Sequence, residues 1–249
     1  MACGHARPCH DREIGRAVSR VVIATPTWRA PWSPWEAARA RAGDEIEALG
    51  HEVHYFTIRR DFQVGWDLAH VADCRTELWS KIREAGGYDW LLWLDDDTRL
   101  PPGGSTRLFQ DLADYQIDGV SALVWKRDSD GPVFWPARHL EEGWKLGRVY
   151  EVASLGLAAT LLPVPALAIL PVAEELFFSH FFDDRGEIAN GEDVGFSRKA
   201  RGAGLRLGCD TGVIGLHWHP DWGDRPARPT KEQLQYLPRV EGAALLVEE

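Results

Sequence analysis

An alternation of apolar runs with amphipathic segments constrains the fold of this chain more than any other feature of its sequence. The runs at residues 20–25, 51–58 and 90–94 have the length and residue types of strands. Residues 35–49 and 68–85, which separate these runs, have helical patterning and are each followed by glycine. This order predicts parallel strands joined by right-handed helical crossovers, and the fully apolar run at 90–94 predicts a central strand.

The second half of the chain is patterned differently. After a further helix and strand, at residues 105–115 and 119–125, the predicted elements become short. They are three strands of mixed direction, one helix and two more strands, at 133–135, 147–153, 156–162, 191–203, 205–207 and 213–216. We therefore expect an α/β protein with a mostly parallel central sheet flanked by helices, and a smaller mixed sheet formed by the second half.

The length and composition of the chain fit one folded domain with an unpatterned segment at each end. The chain has 249 residues, of which 45% are hydrophobic and 27% are charged, as in ordinary folded proteins. Residues 1–19 and 221–249 lack periodic patterning, so we expect a single domain at residues 20–220.

Charge and cysteine content narrow the function classes. The net charge of −10 argues against sequence-independent binding of nucleic acid, which needs a basic surface. The four cysteines, Cys3, Cys9, Cys74 and Cys209, have no CxxC spacing, which favours reduced thiols over a zinc site. The first twenty residues contain no apolar signal segment, so we expect a cytoplasmic protein.

One uncharged stretch, residues 152–173, is long enough to cross a bilayer. Pro163, Pro165 and Pro171 would interrupt any helix through its second half. A strand ending at Leu162, followed by a short proline-bounded helix, accounts for the same residues. We therefore expect no membrane span.

Three consecutive carboxylates, Asp95, Asp96 and Asp97, directly follow the predicted central strand. Ligands of open parallel sheets bind beyond the carboxyl ends of the strands. Adjacent carboxylates repel one another, and a Mg²⁺ or Mn²⁺ ion shared with substrate phosphates would relieve that repulsion. The triplet therefore predicts a metal and phosphate site, with a solvated acidic turn as the alternative.

Two further motifs carry chemically competent side chains. Glu192 and Asp193 follow Asn190 and Gly191 and open a predicted helix, where the helix dipole favours negative charge. His217 ends a short strand, and its imidazole could complete a metal site begun by Asp97. Each motif taken alone also has a purely structural explanation.

Together, and in this order, the motifs resemble those of the GT-A glycosyltransferases, particularly the family 2-like branch that uses nucleotide-diphosphate sugars. The sequence LDDD at 94–97, with Leu100-Pro101-Pro102 after it, resembles the "DxD" motif of that family, and residues 191–195 resemble its "ED" helix. Thr25-Pro26-Thr27, Arg75, Gly156 and the closing His217 match further pieces. The resemblance covers residues 20–220 and implies a Rossmann-like GT-A fold, with a nucleotide-sugar half at 20–125 and an acceptor half at 126–220.

The resemblance implies a role for each matching residue. A nucleotide-sugar donor, with UDP favoured, would be bound by Thr25, Pro26, Thr27, Arg29, Asp61, Arg75, Asp95 and Asp96. Asp95, Asp97 and His217 would ligate Mn²⁺ or Mg²⁺, with His219 as the alternative to His217. Asp193 would be the general base that deprotonates the acceptor hydroxyl, with inversion at the sugar favoured, and Glu192 would hydrogen-bond the acceptor.

The chain also departs from the family pattern. Residues 59–67 contain no clear base-binding aspartate, with Asp61 as a candidate. The "QxxRW" motif of processive synthases is absent, which favours transfer of a single sugar. The acceptor stays open among small molecules, glycans and modified nucleic acids such as hydroxymethylated DNA, and no protein partner is indicated. We expect the phenylalanine-rich residues 174–190 to pack as one wall of the acceptor pocket.

Two other functions compete with sugar transfer. A sugar nucleotidyltransferase usually grips its triphosphate with a glycine-rich basic loop after the first strand, whereas the loop here is rich in proline and tryptophan. A carbohydrate-binding protein would explain the 12 tryptophans but not the acidic triplet.

Overall fold

The computed structural model describes residues 18–27, 33–59, 68–125, 134–135, 144–168, 170, 181–182 and 188–217. Arg29, Asp61, His219 and most of residues 174–190 lie outside this part of the chain, as do residues 1–17 and 221–249 of the two predicted tails.

The first half consists of alternating strands and helices. They are β1 (Arg20–Thr27), α1 (Ser33–Ala48), β2 (Glu52–Arg59), α2 (Leu68–Ala85), β3 (Trp90–Leu94), β4 (Thr98–Arg99), α3 (Gly104–Tyr115) and β5 (Gly119–Trp125). Every helix and strand that the sequence predicts here is confirmed, and the two-residue strand β4 is an addition.

The second half contains shorter elements. They are β6 (Phe134–Trp135), β7 (Val149–Glu151), β8 (Ala159–Pro163), α4 (Val164–Leu167), β9 (Phe181–Phe182), β10 (Ile188–Asn190), α5 (Glu192–Gly202) and β11 (Leu207–His217). The uncharged stretch forms β8 and then the short helix α4, as the sequence predicts. No helix in the described part of the chain is both long and apolar enough to span a membrane.

One sheet contains nine of the described strands, in the order β2-β1-β3-β8-β5-β11-β4, with β6 beside β5 and β7 beside β11. Strands β1, β2 and β3 run parallel, and β5 and β11 run parallel to each other. The fold is therefore mixed α/β. Three of the described pairings in this sheet are parallel and five are antiparallel, so the expected parallel arrangement holds for β1, β2 and β3 and for β5 with β11 only. A separate antiparallel pair joins β9 and β10.

The expectation that the strands of the second half form a smaller mixed sheet is wrong for β6, β7, β8 and β11, which all lie in the main sheet. Strand β8 lies inside the main sheet, antiparallel to both β3 and β5. All five of its residues are buried. A short apolar run reveals burial, but it carries no signal for strand direction or for the neighbours with which the strand pairs.

The two strands predicted at 205–207 and 213–216 form one strand, β11. Its register against β5 shifts between Asp210 and Ile214, which marks a bulge. The polar residues of this bulge interrupt the apolar pattern without ending the strand.

The core lies on both faces of the sheet. Leu91 and Trp93 of β3 pack with residues of α2 and α5, whereas Leu92 and Leu94 pack with residues of α1 and α3. All four β3 side chains are at most 1% exposed, which confirms the predicted central strand. Helices α2 and α5 thus cover one face of the sheet, and α1 and α3 cover the other, so β3 is packed on both faces.

Candidate functional site

The three consecutive aspartates form a turn at the carboxyl end of β3. The Asp95 N–H donates to the Ala158 carbonyl at 2.9 Å, and the Thr98 N–H donates to the Asp95 carbonyl at 3.1 Å. Asp96 and Asp97 are 4% and 3% exposed. The acidic turn, residues 95–97, is therefore fixed against the start of β8.

Arg75, on α2, joins this acidic turn to the first turn of α5. Its Nη2 donates to both carboxylate oxygens of Asp95, at 2.7 and 3.0 Å, and its Nε donates to Glu192 Oε1 at 3.3 Å. Arg75 is only 1% exposed, and its Nη1 has no hydrogen-bond partner among the described residues. Burial opposes the charge, but the two carboxylates outweigh it and raise the pKa of Arg75.

Negative charge is in excess around this arginine. Burial raises the pKa of Asp95 to about 7, against the opposing effect of Arg75, and the nearby carboxylates of Asp97, Glu192 and Asp96 add to the shift. A further cation at the turn would balance this charge.

The two acidic residues that open α5 have different environments. Glu192 is 8% exposed and contacts Arg75. Asp193 is half-buried, and its Oδ1 accepts from the Val194 N–H at 2.7 Å. The sequence assigns both residues to the acceptor, and the structure places Glu192 in contact with Arg75.

Ser197 ties the first turn of α5 to the segment before β8. Its hydroxyl donates to the Asp193 carbonyl at 2.7 Å and accepts from the Leu155 N–H at 2.9 Å. Ser197 and Leu155 are fully buried. Ser197 is not predictable from the sequence, because a serine in the second turn of an amphipathic helix gives no distinguishing signal.

The end of β1 also contacts the acidic turn. The Thr27 hydroxyl donates to Asp96 Oδ2 at 2.6 Å. Thr25 and Pro26 are buried within β1, where they pair with Thr57 and Ile58 of β2. Of the three residues that the sequence assigns to the first-strand loop, Thr27 is thus the one that touches the turn.

The backbone of His217 lies beside the same turn. It pairs with Thr98 where β11 and β4 run antiparallel, and Thr98 directly follows Asp97. Within the described residues, no three His, Cys, Asp or Glu side chains are grouped so that they could hold a metal ion. The structure thus places the backbone of His217 beside that of Asp97, without a group of described side chains that could hold a metal ion.

Comparisons with known proteins give matches only among solved structures. No protein-family model matches the sequence, and no curated protein matches it. A197 from STIV is 17% identical, with 80% of this chain and 86% of that chain covered and a TM-score of 0.48. A glycosyltransferase involved in the glycosylation of the major capsid of PBCV-1 is 14% identical, with coverages of 60% and 62% and a TM-score of 0.34.

GalNAc-T7 with UDP, GalNAc and Mn²⁺ is 12% identical, with 81% of this chain and 44% of that chain covered and a TM-score of 0.44. The chain thus spans less than two thirds of the length of each of these two glycosyltransferases.

Proposed function

We propose that the protein is a GT-A-type glycosyltransferase that moves one sugar from a nucleotide-diphosphate sugar to an acceptor hydroxyl. The observation that carries this proposal is the pair of contacts that Arg75 makes with Asp95 and Glu192. They bring together the acidic turn and the acidic start of α5, which the sequence resemblance assigns to donor and acceptor. Sugar transfer needs those two groups on either side of one anomeric carbon.

A divalent ion fits the chemistry of the acidic turn. Mg²⁺ and Mn²⁺ prefer oxygen ligands and are commonly held by one or two carboxylates together with substrate phosphates. Asp97 is the main candidate ligand, because both oxygens of Asp95 accept hydrogen bonds from Arg75. Asp95 and His217 would complete the site. The ion would supply Lewis-acid stabilisation of the departing nucleoside diphosphate.

Asp193 is the proposed general base. It stands at the N-terminus of α5, where the helix dipole favours the ionised carboxylate. The acceptor hydroxyl would lose its proton to Asp193 while its oxygen attacks the anomeric carbon opposite the leaving diphosphate, which inverts that carbon. Glu192 is better placed to hold Arg75 than to bind acceptor hydroxyls.

Calorimetric titration with UDP, with and without Mn²⁺, tests the proposal. We expect wild-type protein to bind UDP only with Mn²⁺, Asp97→Asn to lose this binding, and the exposed control Asp44→Asn to retain it. Equal UDP affinity in EDTA would remove the metal assignment. Absence of UDP binding in both conditions, together with sugar binding, would favour a carbohydrate-binding protein.

A second assay distinguishes sugar transfer from nucleotidyl transfer. A glycosyltransferase slowly hydrolyses its own donor, so one UDP-sugar in a panel should release UDP without an acceptor. Release of pyrophosphate from a nucleoside triphosphate and a sugar phosphate would instead identify a nucleotidyltransferase.

A further inference from the structure

A second group of charged residues lies between α3 and the bulge of β11, on the face of the sheet opposite Arg75. Its two carboxyl groups are buried, whereas the side chain of Arg107 is 43% exposed. Asp210 is fully buried and accepts hydrogen bonds from Arg107 through both carboxylate oxygens, the longer at 3.2 Å. The same carboxylate accepts from the Gly212 N–H at 2.7 Å. Arg107 thus already balances the one negative charge of Asp210.

A second carboxyl group adjoins this ion pair. Asp111 lies one helical turn after Arg107 on α3, is 5% exposed and hydrogen-bonds Asp210. An ionised carboxylate only accepts hydrogen bonds, so two carboxyl groups can hydrogen-bond each other only when one of them carries a proton. The Oδ2 of Asp111 is buried and accepts no hydrogen bond from any donor in the described part of the chain.

The surroundings favour keeping that proton. Burial raises the pKa of Asp111 to about 8, the hydrogen bond and charge of Asp210 add to the shift, Arg107 opposes it, and Asp114 adds to it. Cys209, the neighbouring titratable group on β11, is a neutral thiol, because burial raises its pKa to about 12. One guanidinium therefore faces two buried carboxyl groups.

We propose that Asp111 and Asp210 share one proton and form a pH-sensitive latch that fastens α3 to the bulge of β11. With the proton present, the Asp111 hydroxyl donates to Asp210. When the proton leaves to solvent, two carboxylates in contact compete for Arg107 and repel each other. The latch is independent of sugar transfer, although β11 continues from the bulge to the pairing with β4 beside the acidic turn.

The direction of the pH effect follows from the two ionisation points. The pKa of an aspartate in the unfolded chain is about 4, whereas burial raises the pKa of Asp111 in the folded chain to about 8. Between these values the folded chain binds one proton more than the unfolded chain. The stabilisation by the latch is therefore complete below about pH 4 and is lost as the pH rises to about 8.

Urea unfolding from about pH 5 to about pH 9 tests the latch with Asp111→Asn, which can donate to Asp210 at every pH. We expect the unfolding equilibrium constant of the wild type to rise, relative to that of Asp111→Asn, by up to about tenfold per pH unit and to level off above about pH 8. Asp44→Asn, with an exposed carboxyl removed from α1, should follow the wild type. Parallel pH profiles of the wild type and Asp111→Asn would overturn the proposal.

Infrared spectroscopy detects the shared proton directly. The wild-type spectrum minus that of Asp111→Asn should contain the carbonyl band of a protonated carboxylic acid at about pH 6 and lose it above about pH 8. Other buried acids, including Asp95, cancel in this difference. If Asp111→Asn does not fold, Asp111→Ser, a smaller neutral donor, takes its place. Absence of the band at about pH 6 would show that no proton is shared.

Discussion

Arg75 and Glu192 lie 117 residues apart in the sequence, yet the Nε of the arginine donates to Oε1 of the glutamate across 3.3 Å. Because the same guanidinium also binds Asp95, it fixes the position of the acidic turn relative to the first turn of α5. A buried cation of this kind is stable only with its anionic partners, and the partners are equally dependent on the cation.

Replacing this arginine should therefore destabilise the protein strongly. Arg75→Met keeps the apolar stem but leaves Asp95 and Glu192 without their cation, and we expect the free energy of unfolding at pH ~7 to fall by about 3–5 kcal/mol. The loss should shrink at acidic pH, where the carboxylates can be protonated. Urea unfolding measures both effects.

The matched control is Arg206→Met. Arg206 forms its ion pair with Glu151 at 3.0 Å, but the two side chains are 38% and 57% exposed, so the expected loss is at most about 1 kcal/mol. Equal losses for the two variants would show that the contacts of Arg75 add no stability of their own.

Cation binding at the acidic turn should depend on pH near neutrality. Burial raises the pKa of Asp95 to about 7, so its proton and the proposed divalent ion would compete for the carboxylate in this range. We expect Mn²⁺ affinity to rise with pH through about 7 and then to level off. Titrations with Mn²⁺ at about pH 6 and about pH 8, followed by water-proton relaxation or by calorimetry, measure this change in affinity.

Two variants assign the pH effect to one residue. Asp95→Asn should bind Mn²⁺ more weakly and lose the dependence, whereas Asp111→Asn, on the other face of the sheet, should retain it. In the absence of metal, protonated Asp95 contributes stability that is lost as the pH rises through about 7, since its folded-state pKa lies above that of the unfolded chain. Mn²⁺ affinity that is unchanged over this range would contradict the assignment.

The sequence predicts local elements well and sheet order poorly. Strands β1, β2, β3 and β5 and helices α1, α2, α3 and α5 follow from periodicity, and glycine after α1 and α2 marks the ends of those two helices. The insertion of β8 between β3 and β5 does not, because those contacts depend on residues distant in the chain. The sequence pattern likewise predicts two strands where the structure has only β11. The polar residues of its bulge are held by a contact distant in the chain, between Asp210 and Arg107 of α3.

The candidate site was predictable in part. The positions of the acidic turn and of the acidic pair on α5 follow from the motifs, but the contact between them through Arg75 does not. One signal was present: Arg75 shares the buried stripe of α2 with Leu78, Trp79 and Ile82, at helical spacing. A charge on a buried stripe needs a partner of opposite charge, and Asp111 on the buried stripe of α3 is a second example.

The position of β8 can be tested through a glycine of its neighbour. A Cβ added at Gly119 of β5 would lie 2.5 Å from Leu162 Cδ2 and 3.4 Å from Leu207 Cδ2, and both leucines are fully buried. Gly119→Ala should therefore reduce the free energy of unfolding by about 1–3 kcal/mol through overpacking.

Gly202→Ala is the matched control. A Cβ at Gly202, in the last turn of α5, would meet no atom within 4 Å, so this variant should be neutral or more stable by up to about 1 kcal/mol. Thermal unfolding of both variants makes the comparison. A Gly119→Ala variant as stable as the wild type would mean that β8 does not pack this closely on β5.

Removal of the Ser197 hydroxyl should loosen the start of α5. In Ser197→Ala the Leu155 N–H is buried without an acceptor, which costs about 1–3 kcal/mol. Hydrogen exchange should accelerate at Leu155 and in the first turn of α5 more than in α3. The control is Ser154→Ala, which removes a buried hydroxyl that donates to the Leu155 carbonyl at 3.4 Å. This variant should change the exchange rates of the same amides less. Uniform acceleration across the protein would contradict a local tie.

Asp193→Asn tests the reaction type. The asparagine keeps the size of the side chain and an oxygen that can accept from the Val194 N–H, so α5 should persist. Because the amide cannot take a proton, transfer should fall by about 10²–10⁴-fold, while UDP and Mn²⁺ affinity stay nearly unchanged. Initial rates of donor turnover, measured beside calorimetric titration with UDP, separate the two quantities. A variant with native-like circular dichroism and wild-type turnover would leave Asp193 as a helix-start residue. Glu192→Gln would then be the next variant to assay for the base.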